Sequence, residues 1–145
     1  MIGLLQRVSS AEVQVDDCVV GQIGPGLLVL VGVQPADTLE SGQHLLSRIL
    51  KYRIFEDEGG KMNLSLQQVE GGLLLVPQFT LAADTRQGLR PGFSTAAPPD
   101  LGRRLFEGLV AAARAQHPKV QTGQFGANMQ VSLTNSGPAT FWLES

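Results

Sequence analysis

The chain has 145 residues, enough for one hydrophobic core and too short for two of useful size. Its 43% apolar and 17% charged residues exclude a disordered chain, and no apolar run nears the roughly 20 residues of a membrane helix. A net charge of −2 argues against bulk attraction to a polyanion, and the single cysteine, Cys18, excludes an internal disulfide and fits a reducing cytosol. The opening MIGLLQRVSS has no cationic leader before an apolar stretch, so no secretory signal and a cytoplasmic location are expected. One Cys with two distant His, His44 and His117, cannot supply a zinc site, and neither a metal nor a cofactor is expected. Glycine stands out at 17 residues, about 12% against a usual 7%, which points to turns or to backbone brought close to a ligand.

In chain order, residues 2–9 and 12–16 read as short strands, the second alternating Val13 and Val15 with polar neighbours. Asp16-Asp17 is turn chemistry, 19–23 resumes an extended pattern, and Gly24-Pro25-Gly26 reads as a hairpin turn. The aliphatic run 27–33 suits a strand buried on both faces, completing a meander of up to four strands. A helix follows, with Asp37 as cap, Glu40 at capping-box spacing, and Leu39, Leu46, Ile49 and Leu50 at helical intervals to about Tyr52. Residues 56–63 form a polar turn, 64–69 a short segment, and 73–83 a second buried strand in which Pro77 marks a bulge, an edge or the strand's end. A long irregular loop over 84–99 leads to a second helix capped by Asp100, with Leu101, Leu105 and Leu109 on one face and His117-Pro118 at its end. Strands over 128–134 and 139–144 close the chain, joined through Asn135-Ser136-Gly137-Pro138 by a hairpin or a special turn. This inventory is α+β with mainly antiparallel pairing, in one domain over 1–145.

Familiar catalytic patterns are missing: there is no Gly-x-Ser-x-Gly elbow, Walker loop or His-Glu-x-x-His. His44 and His117 are expected in exposed structural roles, Cys18 as a small strand residue, and Glu56-Asp57-Glu58 as a solvated turn. Two places remain. Gln78 and Thr80 flank Phe79 where aliphatic neighbours belong, which fits either an edge strand with one polar face or a site. Gly137-Pro138 lies where a cis peptide would expose two consecutive carbonyls on one side, although X-Pro bonds are cis only about 5% of the time.

At these residues the sequence closely resembles the D-aminoacyl-tRNA deacylases, along essentially its whole length. The matching stretches are MIGLLQRVSSAEVQV, GPGLLVLVGV, YRIFED with GKMNLSL, QFTLAADTRQGLRPGFS and MQVSLTNSGPATFWLE, of which QFTLAADT and NSGPAT are the most specific. The resemblance implies a barrel-like core with two principal helices, and a homodimer with two active sites at the interface. Each site would join the Gln78-Phe79-Thr80 strand of one subunit to the Gly137-Pro138 turn of the other. It further implies a cis Gly137-Pro138 bond acting as a chirality filter, Arg7 supporting that filter, and Phe125 and Met129 near the terminal adenine. Pro77 departs from the family's usual Ser-Gln-Phe-Thr, removing any hydroxyl or N–H contact from that position.

The implied activity is hydrolysis of the ester joining a D-amino acid to the terminal ribose of tRNA. Backbone N–H donors at the developing oxyanion suffice for such an activated ester, with no triad. Glycine has no side chain to exclude, so glycyl-tRNA, including glycine mischarged on tRNA-Ala, is expected to be cleaved. Thr80 is expected to order the site, with water attacking with help from the ribose 2′-hydroxyl. Competing readings are a non-catalytic dimeric binder of tRNA 3′ ends and a small-ester hydrolase. An acidic chain implies contact with one tip of the tRNA, near Lys51, Arg53, Lys61, Arg86 and Arg90.

Overall fold

A single 14-residue strand, β1 (Ile2–Val15), is the spine of the computed structural model, which describes residues 1–145. Two strands, 2–9 and 12–16, are expected here, but Ser10 and Ala11 between them carry the same strand on without a break. One edge of β1 pairs antiparallel with β8 (Gln130–Glu144), from Ile2 opposite Glu144 to Gln14 opposite Gln130. The two closing strands of the sequence reading are therefore one strand with an irregularity inside it. The other edge pairs with β2 (Cys18–Ile23) and β3 (Gly26–Gly32), Ala11 lying opposite Ile23 and Val8 opposite Gly26. These registers are continuous, so β2 and β3 form one line broken at Gly24-Pro25, and that triplet is not a hairpin turn. Pro25 has no N–H to give the ladder, yet the chain keeps its direction. The tight turn is Asp16-Asp17, whose φ angles of 50° and 63° are the left-handed pair of a type I′ hairpin.

Beyond β3 the sheet continues in parallel through β6 (Gly72–Pro77) to β7 (Val120–Thr122). β2 then bends toward β7 and nearly closes the sheet into a barrel. A Cβ on Gly21 would lie 2.5 Å from the Thr122 carbonyl oxygen, so the approach requires glycine. β3 and β6 are buried on both faces, as their unbroken aliphatic runs require. Leu27, Val29, Leu73 and Leu75 face α1 (Leu39–Lys51) and α3 (Pro99–Gln116), while Leu28, Leu74 and Val76 face the barrel interior with Val8, Val13 and Ile23. A small hairpin of β4 (Phe55–Glu56) and β5 (Met62–Leu64) and a single-turn helix α2 (Leu66–Val69) fill the connection before β6.

Three local expectations change. Thr38, not Asp37, caps α1: its hydroxyl accepts from the Ser41 N–H while the Ser41 hydroxyl accepts from the Thr38 N–H. Asp37 is recruited by the N-terminus, its carboxylate lying 2.5 Å from the Met1 ammonium and accepting from the Gln34 N–H at 2.7 Å. Pro98, not Asp100, caps α3, with Pro99 in the first helical position where its missing N–H costs nothing. His117 is buried, 4% exposed, and its Nε2–H donates to the Gly71 carbonyl at 2.6 Å, tying the end of α3 to the turn before β6. His44 is exposed, as expected.

Gly26 and Gly72 meet so closely that a Cβ on Gly26 would lie 1.9 Å from the Gly72 oxygen, whereas one on Gly24 meets nothing within 4 Å. Gly26→Ala is expected to cost more than about 3 kcal/mol in chemical denaturation, because backbone must move from backbone. Gly24→Ala, two residues away, should stay within about 0.5 kcal/mol.

Candidate active site

β6 ends at Pro77, and the chain then turns through a 3-10 helix, Phe79–Ala82. Residues 78–80 are thus not on a strand, contrary to the sequence reading and to the strand that the resemblance implied. Pro77 cannot extend the ladder, and the chain folds back on itself instead. The Gln78 N–H still bonds the Val31 carbonyl of β3 at 2.8 Å, which anchors the turn to the sheet. Its first internal bond runs from the Leu81 N–H to the Gln78 carbonyl. The N–H groups of Phe79 and Thr80 precede that bond and have neither a side-chain cap nor a backbone partner, as donors at a helix start do. Phe79 and Thr80 are exposed, and Gln78 Nε2 donates to the Thr80 hydroxyl at 2.6 Å.

Beside this turn opens an apolar cavity of about 660 Å³. Its lining brings Gln78, Phe79 and Phe93 together with Val31, Phe106 and Phe125. The Phe79 and Phe93 rings pack 5.3 Å apart. No Asp, Glu, His, Lys or Arg contributes to the wall. Phe125 therefore shares a cavity with Gln78 and Phe79. Met129 does not line it: its sulfur accepts from the Gln124 N–H at 3.4 Å and packs against the position of Gly123, supporting the loop that carries Phe125.

The second place singled out lies inside β8. Gln6 of β1 pairs with Thr140 and Val8 with Asn135, so Ser136–Ala139 bulge out opposite the single residue Arg7. The Gly137-Pro138 bond in the bulge is cis. Arg7 is buried beneath it, Nε donating to the Ser136 carbonyl at 2.8 Å and Nη1 to the Ile54 carbonyl at 2.7 Å. Asn135 closes the loop from the other side, its Nδ2 reaching the carbonyls of Arg7 at 3.0 Å and Ala139 at 3.1 Å. A Cβ on Gly137 would lie 2.3 Å from Asn135 Oδ1, so a larger residue there would push Asn135 off the carbonyls it holds. Sequence reasoning placed Asn135 in this turn but gave it no role; its signal was an amide two residues before a glycine, the pattern of a side chain bonding its own turn. Gly137 and Pro138 are exposed, and neither lines the cavity beside Gln78.

The loop over 84–99 is less irregular than expected. Asp84 and Gly92 exchange backbone hydrogen bonds at 2.8 and 2.9 Å, and Arg86 forks onto the Asp84 carboxylate with two bonds of 2.9 Å. Hydrogen bonding from the Arg86 side chain, and then from its backbone, lowers the Asp84 carboxyl to about 2. Of the cations expected to face a tRNA, Arg86 is committed to this fork and Arg53 to Asn63, whose backbone carbonyl accepts from its Nε at 3.0 Å. No three His, Cys, Asp or Glu side chains gather as a metal site would need.

The family profile described as D-Tyr-tRNA(Tyr) deacylase matches residues 4–144. A D-aminoacyl-tRNA deacylase of Thioalkalivibrio sulfidiphilus is 63% identical over 144 residues, 99% of this chain and 97% of that protein. One from Ectopseudomonas mendocina is 62% identical over 141 residues, 97% of each chain. The solved c-Myc DNA Unwinding Element Binding Protein superposes with a TM-score of 0.95 at 35% identity, covering 100% of this chain and 99% of that one. A probable eukaryotic D-amino acid tRNA deacylase superposes at 0.86 with 20% identity, over 99% and 98% of the two chains, and shares the fold.

Two outcomes follow from the geometry. Arg7→Met should destabilise the protein by about 2–4 kcal/mol in urea denaturation, since two carbonyls lose charged donors, with Arg7→Lys recovering part of the loss. In an NMR titration Asp84 should protonate near 2 and move up toward 3.8 in Arg86→Gln. The depressed value means that the fork's stabilisation is present above the ordinary carboxyl range and is lost as pH falls through about 2.

Proposed function

The chain belongs to the D-aminoacyl-tRNA deacylase family, hydrolases of an ester bond, and from that premise we propose chiral proofreading in the cytoplasm: cleavage of D-aminoacyl-tRNA to free D-amino acid and tRNA. The observation that carries this is the unpaired Phe79 and Thr80 N–H groups, beside a cavity whose wall holds no ionisable side chain. An aminoacyl ester is already activated, so the gain comes from fixed donors aimed where oxyanion charge develops. Thr80 holds its hydroxyl against Gln78 and has no acid or base bonded to it that would make it a nucleophile. It orders the site while water attacks, helped by the ribose 2′-hydroxyl. Phe125 lines the cavity where the terminal adenine would sit, with Met129 bracing the loop that carries it.

Gly137 and Pro138 form the filter: their carbonyls receive the substrate ammonium, and their backbone fills the space an L side chain would need. The bulge does not line the cavity of its own chain, so it serves the site of a second copy, making a homodimer with two shared sites. Exposed Phe79 (56%), Phe93 (47%), Leu133 (39%) and Trp142 (50%) offer apolar surface for that pairing. Glycine presents no side chain to exclude, so glycyl-tRNA, including glycine on tRNA-Ala, is a second substrate.

Parallel incubation with D-, L- and glycyl-aminoacyl-tRNA tests the assignment. D and glycyl esters should be hydrolysed and L spared by on the order of a hundredfold or more. Binding without cleavage would make the protein a tRNA-end binder, and hydrolysis of simple esters without chiral preference would make it a general esterase. Thr80→Ala should retain measurable turnover, slowed by roughly 10–100-fold. Complete loss in that variant, together with a trapped acyl-Thr80 in the wild type, would overturn the water mechanism.

A further inference from the structure

We propose that the groove between α3 and the segment following β7 holds the phosphodiester backbone of the single-stranded RNA end whose last nucleoside enters the apolar cavity. The inference rests on the deacylase reading above, because it takes that nucleoside to lie against Phe125. The groove has a volume of about 380 Å³ and includes Arg103, Glu107, Arg114, Thr122 and Gln124 in its lining. It shares Phe106 and Phe125 with the apolar cavity, so the two spaces meet at one aromatic edge. Because Phe125 lines both spaces, a chain whose terminal base lies against it in the cavity can lead its preceding phosphates into the groove.

Charge and helical geometry then select the occupant. Arg103, Glu107, Val110 and Arg114 recur at spacings of four, three and four along α3, so both arginines lie on one stripe, about 16 Å apart at 1.5 Å per residue. That separation serves two different phosphates. The ion pairs of this chain are Met1–Asp37, Arg7–Glu56 and Asp84–Arg86, so neither Arg103 nor Arg114 has a carboxylate partner, Glu107 included. Arg103 instead lies over the Phe125 ring at 4.9 Å, which holds one guanidinium at the junction of groove and cavity. Two unpaired guanidinium forks, with Thr122 and Gln124 as neutral hydrogen-bonding groups, fit phosphate oxygens. The net charge of −2 for the whole chain leaves attraction to a polyanion to local cations such as these two.

Arg114 is the cleaner probe, being at the far end from Phe125. Arg114→Gln should lower kcat/KM on D-aminoacyl-tRNA about tenfold, mainly through KM. D-aminoacyl-adenosine, which has no phosphodiester, should show a much smaller change. The slope of log(kcat/KM) against log salt for the tRNA substrate should become shallower by about 0.7, the value of one phosphate on a single strand. Binding of an unacylated RNA ending in CCA, followed by fluorescence anisotropy, should weaken in parallel, and Arg103→Gln/Arg114→Gln should flatten its salt slope by about 1.4. Equal losses on both substrates, or unchanged RNA binding and salt slope, would overturn the groove assignment. A wild-type protein that cleaves neither substrate would instead overturn the deacylase reading, and the RNA-binding series would still decide the groove.

Discussion

The register between β1 and β8 is the constraint on which the rest of the molecule depends. Four residues of β8 have to pass one residue of β1, and the surplus is thrown outward as the bulge Ser136–Ala139. Arg7 occupies the space below it and converts a break in the ladder into a held shape, because its guanidinium satisfies carbonyls from two separate segments. Asn135 does the same from within the strand. The opposite edge of β1 carries β2 and β3 in one register, and β3 in turn aligns β6, whose end launches the Gln78–Ala82 turn. Both chemically interesting places are thus referenced to the same central strand.

What the cavity lacks says as much about the chemistry as what it contains. Its wall is apolar and free of acids and bases, while exposed main chain lies at both proposed contact points. Main-chain groups suit this task because their positions are set by the sheet and they need no reorganisation as charge develops. The glycine excess acquires a physical meaning in the same terms. Gly21 and Gly26 let strands meet, and Gly137 lets the bulge close over Asn135, at positions where any Cβ would strike a backbone or side-chain oxygen.

Much of the scaffold was legible from residues alone. The aliphatic runs around Leu28 and Leu74 identified the doubly buried strands because burial on both faces leaves no polar alternation. Helical spacing identified α1 and α3, whose buried Leu46, Ile49, Leu105 and Leu109 face one core. Errors fell where a distant partner outbid a local preference. Asp37 was diverted from its cap by the Met1 ammonium, and His117 was drawn inward by the Gly71 carbonyl. Gly24-Pro25-Gly26 had turn chemistry, but β1 held both flanking segments in one line.

The sequence by itself therefore determined the class of fold, the family and the residues worth watching, since these follow from local periodicity and from distinctive short motifs. Only the tertiary structure decided that residues 78–80 form a turn whose Gln78 N–H is tied to Val31 while those of Phe79 and Thr80 stay free, that Asn135 braces Gly137, and that Arg103 and Arg114 stand without carboxylate partners along α3, the first over Phe125. Each of these depends on which backbone groups are already bonded and which charges are already neutralised. Pairing of that kind is set by partners far away in the chain, and no window of neighbouring residues contains it.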